Sequence, residues 1–152
     1  MKIKAKFVHT NLIAENWQSL VRFYQEVFGC IPVHPERDLY GELLDAGTGI
    51  HNVHLRGIHL RLPGYDDSGP TLEIFSYEPH ENRVNSIVNR PGYTHIAFQV
   101  EDVQAARAEV LAAGGKQVGE VVTLQIANKS RVTWCYVTDP EGNFIELQSW
   151  SK

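Results

Sequence analysis

Apolar positions recur along the chain with two different periods, and the switch between them predicts the elements. Residues 5–13 are rich in Val, Ile and Phe, hold no turn residue, and read as a strand. Asn16 then stands as the N-cap of a helix in which Trp17, Leu20, Val21, Tyr24, Val27 and Phe28 form one apolar stripe, closed by Gly29. Across residues 53–62 the alternation of Ile58, Leu60 and Leu62 with His59 and Arg61 has the period of a strand. Residues 64–70 read as a loop and 71–77 as the next strand. The polar stretch 78–91 resembles a linker, and after it the pattern restarts. Residues 93–100 read as a strand, and Asp102 caps an alanine-rich helix over 103–113 that Gly114 and Gly115 close. Strands at 117–124, 132–138 and 144–150 follow. Between the last two, Asp139-Pro140-Glu141-Gly142-Asn143 is a turn, with Pro where φ is fixed and Gly or Asn where φ is positive.

The restart keeps its internal spacing, as a duplicated unit should. Gly29 follows His9 by 20 residues (29 − 9), and Gly115 follows His95 by 20 (115 − 95). Glu73 follows His9 by 64 (73 − 9), and Glu146 follows His95 by 51 (146 − 95), so the first half carries 13 extra residues (64 − 51), placed in loops between 31 and 70. The expected architecture is α+β: one domain over 1–152, built of two βαβββ modules at 5–78 and 91–151. These form a curved, mixed, largely antiparallel sheet with helices on its outer face.

Composition narrows the function classes. The 152 residues are 43% hydrophobic and 21% charged, which excludes a disordered or fibrous chain and suffices for a core without metal or disulfide staples. A metal in such a chain is functional rather than structural. A formal net charge of −4 with no basic cluster argues against nucleic acid as a partner. No apolar stretch follows the basic residues of the N-terminus, so neither a leader nor a membrane span is read. Cys30 and Cys135 lie far apart without CxxC spacing and are expected as core thiols in a reducing, cytoplasmic setting.

Alternate side chains of a strand share a face, which sorts the ionisable residues. Leu72 and Ile74 face away from Glu73, Ile96 and Phe98 away from His95, Ile145 and Leu147 away from Glu146, and Thr10 and Leu12 away from His9. One face of each strand is thus apolar, while the other places a His or Glu near mid-strand. An ionisable group there costs several kcal/mol (about 2–5) unless it is solvated, paired or bound to a cation. Two imidazoles and two carboxylates converging from four strands suit an octahedral divalent ion, with two positions left for water or substrate oxygens; nickel, cobalt, manganese or zinc would fit. His59 and Arg61 are expected on the same cleft, where they would meet an anionic small-molecule substrate. Asn11, Gln99, Phe75 and Tyr93 are further candidates on that face. His51 and His54 have i, i+3 spacing, but the glycines at 47, 49 and 57 argue against a helix there.

These residues resemble the vicinal oxygen chelate superfamily, which contains glyoxalase I, methylmalonyl-CoA epimerase, extradiol dioxygenases, fosfomycin resistance proteins and bleomycin-binding proteins. The resemblance rests on His9 with the helix ending Phe23-Tyr24-Gln25-Glu26-Val27-Phe28-Gly29, on Leu72-Glu73-Ile74-Phe75, on Gly92-Tyr93-Thr94-His95-Ile96-Ala97-Phe98, and on Asp139-Pro140-Glu141-Gly142-Asn143-Phe144-Ile145-Glu146-Leu147. It implies that His9, Glu73, His95 and Glu146 are metal ligands. It further implies a lyase or isomerase of the glyoxalase type, with Glu146 or Glu73 as the base that moves a proton next to a carbonyl. Epimerase-like chemistry belongs to the same class, although the epimerase usually has Gln where this chain has Glu73. The alternatives implied are a binding or resistance protein that captures a small molecule without turnover, and an extradiol-type dioxygenase. Members of the superfamily close their sites within one chain or across two, and a homodimer is the expected assembly.

Overall fold

Helix α1 (Trp17–Phe28) forms where the apolar stripe predicts it. The Asn16 side chain accepts a hydrogen bond from the Ser19 amide at 3.0 Å, and Gly29, at φ +67°, ends the helix in the left-handed conformation that a side chain would disfavour. The structure is a computed structural model and describes residues 2–126 and 130–151. Its contacts divide the chain into two compact units, Met1–Asn82 and Arg83–Lys152.

The first unit holds a four-stranded mixed sheet in the order β1 (His9–Ile13), β4 (Thr71–Glu78), β3 (His54–Arg61), β2 (Ile31–Tyr40). β1 runs parallel to β4, and the other pairs are antiparallel. Helix α1 packs on β3 and β4. Ile58 and Leu60 of β3 pair across the sheet with Ile74 and Leu72 of β4, and all four are buried. Together with Leu20 and Tyr24 of α1 they form this unit's core, each aliphatic side chain contributing about 1.5–3 kcal/mol.

The second unit repeats the plan with five strands. β5 (His95–Gln99) lies parallel to β9 (Phe144–Ser151), which is followed by β8 (Arg131–Thr138) and β6 (Lys116–Gln117), while β7 (Val122–Gln125) also pairs with β8. Helix α3 (Val103–Ala112), capped by the Asp102 side chain on the Ala105 amide at 3.0 Å, packs on β8 and β9. Buried Val103, Val110, Val137, Ile145 and Leu147 make its core. The Asp139–Asn143 turn is present: Asp139 is fully buried, and its carboxylate accepts from the amides of Glu141 and Asn143 and from the Asn143 side chain.

The α+β class and the two modules with mixed, largely antiparallel sheets are as the sequence predicts. Four details differ. The first strand begins only at His9, and residues 2–8 belong to no strand, although the Val8 carbonyl accepts from the Thr71 amide at 3.0 Å. The stretch from 31 to 52, within the region where the extra residues are expected as loops, contains β2 and the helix α2 (Glu42–Thr48), whose Asp45 carboxylate accepts from the Asn52 and Val53 amides. The strand expected at 117–124 is broken into β6 and β7. Tyr93, expected inside a strand, precedes β5 and is fully exposed.

Candidate metal centre

In the first unit, three ligand-bearing side chains meet on the sheet face opposite the buried Ile58, Leu60, Leu72 and Ile74. β3 and β4 place His59 directly across from Glu73, and His59 Nε2 lies 2.8 Å from Glu73 Oε2. His9, at the start of β1, brings its Nε2 to 3.8 Å from the same oxygen, with its ring edge-on to that of His59 at 5.4 Å. One ligand atom from each of His9, His59 and Glu73 lies within 4.8 Å of the other two. Two imidazoles and a carboxylate so gathered are a donor set for a borderline divalent ion, so these residues fit the cation that the chemistry calls for.

The surrounding residues hold this set in place. Asn11, paired in register with Glu73 on the neighbouring strand, donates from Nδ2 to Glu73 Oε1 at 2.8 Å. The Thr71 hydroxyl lies 3.0 Å from His59 Nδ1, which leaves Nε2 as the nitrogen facing Glu73. The Phe75 ring is buried and stands edge-on to His59 at 5.8 Å. Burial pushes the pKa of His59 below its ordinary value; Glu73 opposes that shift, and His9 and Arg37 add to it. The shift favours the neutral imidazole, the form in which it binds a metal.

The second unit carries a related but smaller arrangement. His95 of β5 and Glu146 of β9 approach at 3.1 Å between Nε2 and Oε2, with the Glu146 side chain 19% exposed. Tyr136 of β8 sits across from Glu146 as His59 sits across from Glu73, and its ring lies 5.1 Å from that of His95. Burial, and then the Glu146 charge, push the Tyr136 phenol upward, so it stays protonated and can donate. The Trp134 ring packs edge-on against Tyr136 at 5.0 Å.

Of the residues singled out from sequence, His9 and Glu73 meet in one unit and His95 and Glu146 in the other. His59, expected to meet substrate, stands beside Glu73 as a third candidate ligand, and Asn11 holds the Glu73 carboxylate. Arg61 is drawn to Asp67 in the 64–70 loop, at 3.0 Å. Gln99 lies exposed on β5, and Tyr93 lies outside the strand. Sequence reasoning missed the ligand character of His59 and passed over Tyr136 and Thr71. The signal was the antiparallel register, in which the residue facing each metal-type Glu is found by counting back through the hairpin.

Comparison with known proteins agrees with this architecture. A family model described as the Glyoxalase/Bleomycin resistance protein/Dioxygenase superfamily matches residues 6–147. Among solved structures, the chain is similar to a glyoxalase family protein from Bacillus cereus, at 21% identity and a TM-score of 0.75, covering 100% of this chain and 97% of that one. It is also similar to the trypanothione-dependent glyoxalase I of Leishmania major, at 23% identity and a TM-score of 0.61, covering 96% and 87%. A glyoxalase/bleomycin resistance protein/dioxygenase from Alicyclobacillus acidocaldarius aligns at 14% identity with a TM-score of 0.57, over 100% and 96%. No curated protein sequence matches the chain. Identities this low carry the fold and leave the chemistry to the site. With the family model spanning nearly its whole length, this chain belongs to the Glyoxalase/Bleomycin resistance protein/Dioxygenase superfamily.

Proposed function

We propose that the protein is a divalent-metal-dependent lyase or isomerase that moves a proton next to a carbonyl of a small molecule. The observation that carries this reading is the convergence of His9, His59 and Glu73 ligand atoms within 4.8 Å, on a sheet face otherwise expected to be costly for charge. His9, His59 and Glu73 would hold a divalent cation there, and that ion would supply positive charge to stabilise the charge developing on a substrate oxygen. Glu146 or Glu73 is the carboxylate that would act as base, one of them taking the proton from carbon and returning it to the neighbouring atom. Tyr136, protonated and beside Glu146, supplies a hydrogen-bond donor. The mostly buried carboxylates, 14% exposed for Glu73 and 19% for Glu146, limit competition from bulk water.

The test is bound metal per chain, by plasma mass spectrometry, on untagged protein loaded with nickel, cobalt, manganese or zinc, beside the variants Glu73→Ala, His59→Ala and His95→Ala. Near-stoichiometric metal that falls in the first two variants supports the first-unit centre. A fall in the third brings the second unit's pair into the ligand set expected from sequence. Solvent deuterium appearing next to the carbonyl of an α-oxoaldehyde hemithioacetal or an acyl-CoA thioester then reports the proton transfer. Wild-type protein that holds no more metal than the variants removes the reading and leaves a metal-free binding protein.

A second reading has one specific observation in its favour. Two His and one carboxylate is also the donor set of non-haem Fe(II) oxygenases. Oxygen uptake by the iron-loaded protein with a catechol, without deuterium exchange in the carbonyl substrates, would select it.

A further inference from the structure

The two units match closely enough in register that their differences can be read one position at a time. Asn11 lies beside Glu73 in the parallel pair of β1 and β4, and Ala97 lies beside Glu146 in the parallel pair of β5 and β9. Each residue is two positions after its unit's candidate histidine ligand, so the side chain points to the same face as that histidine. In the first unit this position carries an amide whose Nδ2 is 2.8 Å from Glu73 Oε1; in the second it carries a methyl group, which can hold nothing. An ionised carboxylate only accepts hydrogen bonds, so the amide nitrogen of Asn11 must face it, and the contact is a donation to Oε1.

We infer that Asn11 is a positioning residue, which fixes the Glu73 carboxylate through Oε1 and presents Oε2 alone to a cation beside His9 and His59. The inference rests on the metal reading above and adds to it a division between the two carboxylates. Glu73 is held on Oε1 by Asn11, while its Oε2 lies 2.8 Å from His59 Nε2, the two atoms that would face the cation. No amide restrains Glu146 from the matching position, because Ala97 stands there. A carboxylate fixed before the ion arrives loses less freedom on binding it, and an occupied Oε1 disfavours a two-oxygen grip on the metal. Asn11 therefore acts on metal affinity and geometry rather than through contact with the substrate, the role that its place on the strand face first suggested.

The test compares cobalt binding by the wild type with that of Asn11→Leu, which keeps the size and removes the donor, and Asn11→Gln, which keeps the amide. Affinity is read by chelator competition and geometry by the visible spectrum of the bound Co(II). Loss of an outer hydrogen bond to a ligand weakens metal binding by about 10–100-fold, and that loss, with a changed spectrum, is expected for Asn11→Leu. Asn11→Gln should recover part of both. The melting temperature of the metal-free protein should be the same in all three, since Asn11 is exposed on an edge strand. Wild-type affinity and spectrum in Asn11→Leu would overturn the inference while leaving the metal centre standing. A lowered melting temperature of metal-free Asn11→Leu that accounts for its loss of cobalt would also overturn it, by making the role structural. Failure of the wild type itself to bind cobalt would overturn both readings together.

Discussion

Gly57 and Phe75 face each other across β3 and β4 so closely that a Cβ on Gly57 would lie 2.3 Å from the Phe75 ring and 2.1 Å from the carbonyl oxygen of Ile74. The second of these atoms is backbone and cannot swing away. Phe75 in turn supports the His59 ring, so the bare backbone at Gly57 is part of what places a candidate ligand. Gly57→Ala should cost about 1–3 kcal/mol of stability through overpacking, measured by urea unfolding, and should lower cobalt affinity as well. Unchanged stability would mean that β3 and β4 separate more easily than their pairing implies.

Thr71 tests the orientation of His59. Its hydroxyl, 3.0 Å from Nδ1, can accept from a protonated Nδ1 and so leave Nε2 bare for a metal. Thr71→Val keeps the shape and should weaken metal binding about 10-fold, with Thr71→Ser restoring most of it. Equal affinities in the wild type and Thr71→Val, by calorimetric titration, would show that His59 needs no such support.

Cys30 gives a prediction in pH. Burial raises its thiol from the ordinary 9.0 to about 12, because the thiolate is the form that suffers from lost solvation. At pH 8 the native thiolate fraction is on the order of 1 in 10,000, so iodoacetamide should leave Cys30 unmodified in native protein and alkylate it in urea. The sign for stability follows. Below pH 9 both folded and unfolded states keep the proton and the full contribution is present. As pH rises from 9 toward 12 only the unfolded state ionises, and stability falls. Cys30→Ala should flatten that alkaline decline; an identical decline in the variant would assign it to other groups.

Asp139 anchors the turn that leads into β9. Its buried carboxylate receives three hydrogen bonds, two from backbone amides and one from the Asn143 side chain. Hydrogen bonds to a charged group are worth about 1.5–3 kcal/mol each, so Asp139→Ala should destabilise the protein by about 3 kcal/mol or more, and Asp139→Asn by less. A loss under 1 kcal/mol in equilibrium unfolding of Asp139→Ala would refute this anchoring role.

Elements with a strong period were legible in the sequence, and those without one were not. The stripe of α1 and the alternation of β3 survive folding with boundaries shifted by about one residue, because each buries one face and exposes the other. β2 was hidden for the opposite reason. It is an edge strand holding Pro32 and Pro35, has a register shift between Val33 and Arg37, and is mostly exposed, so its side chains follow no period of two. α2 contains Gly47 and has no buried residue; the Asp45 carboxylate, tied to the following loop, secures it rather than propensity. At the candidate centre, alternation put His59 on the correct face, but only the register between strands shows that it meets Glu73. Arg61 was pulled aside by Asp67, a partner in a loop whose course no periodicity describes.

The parallel pairing of β1 with β4 also has a meaning for assembly. His9 and Glu73 belong to the first and last strands of their unit, and their approach closes a segment of 64 residues (73 − 9). Closing so long a segment costs chain entropy, which the pairing of β3 with β4 and the packing of α1 on both offset. The His9–Glu73 contact thus depends on a pairing that spans the unit: a nascent chain still lacking β4 has no Glu73 to complete the grouping of donors, and an ion held by all three side chains would draw on the whole stretch from β1 to β4.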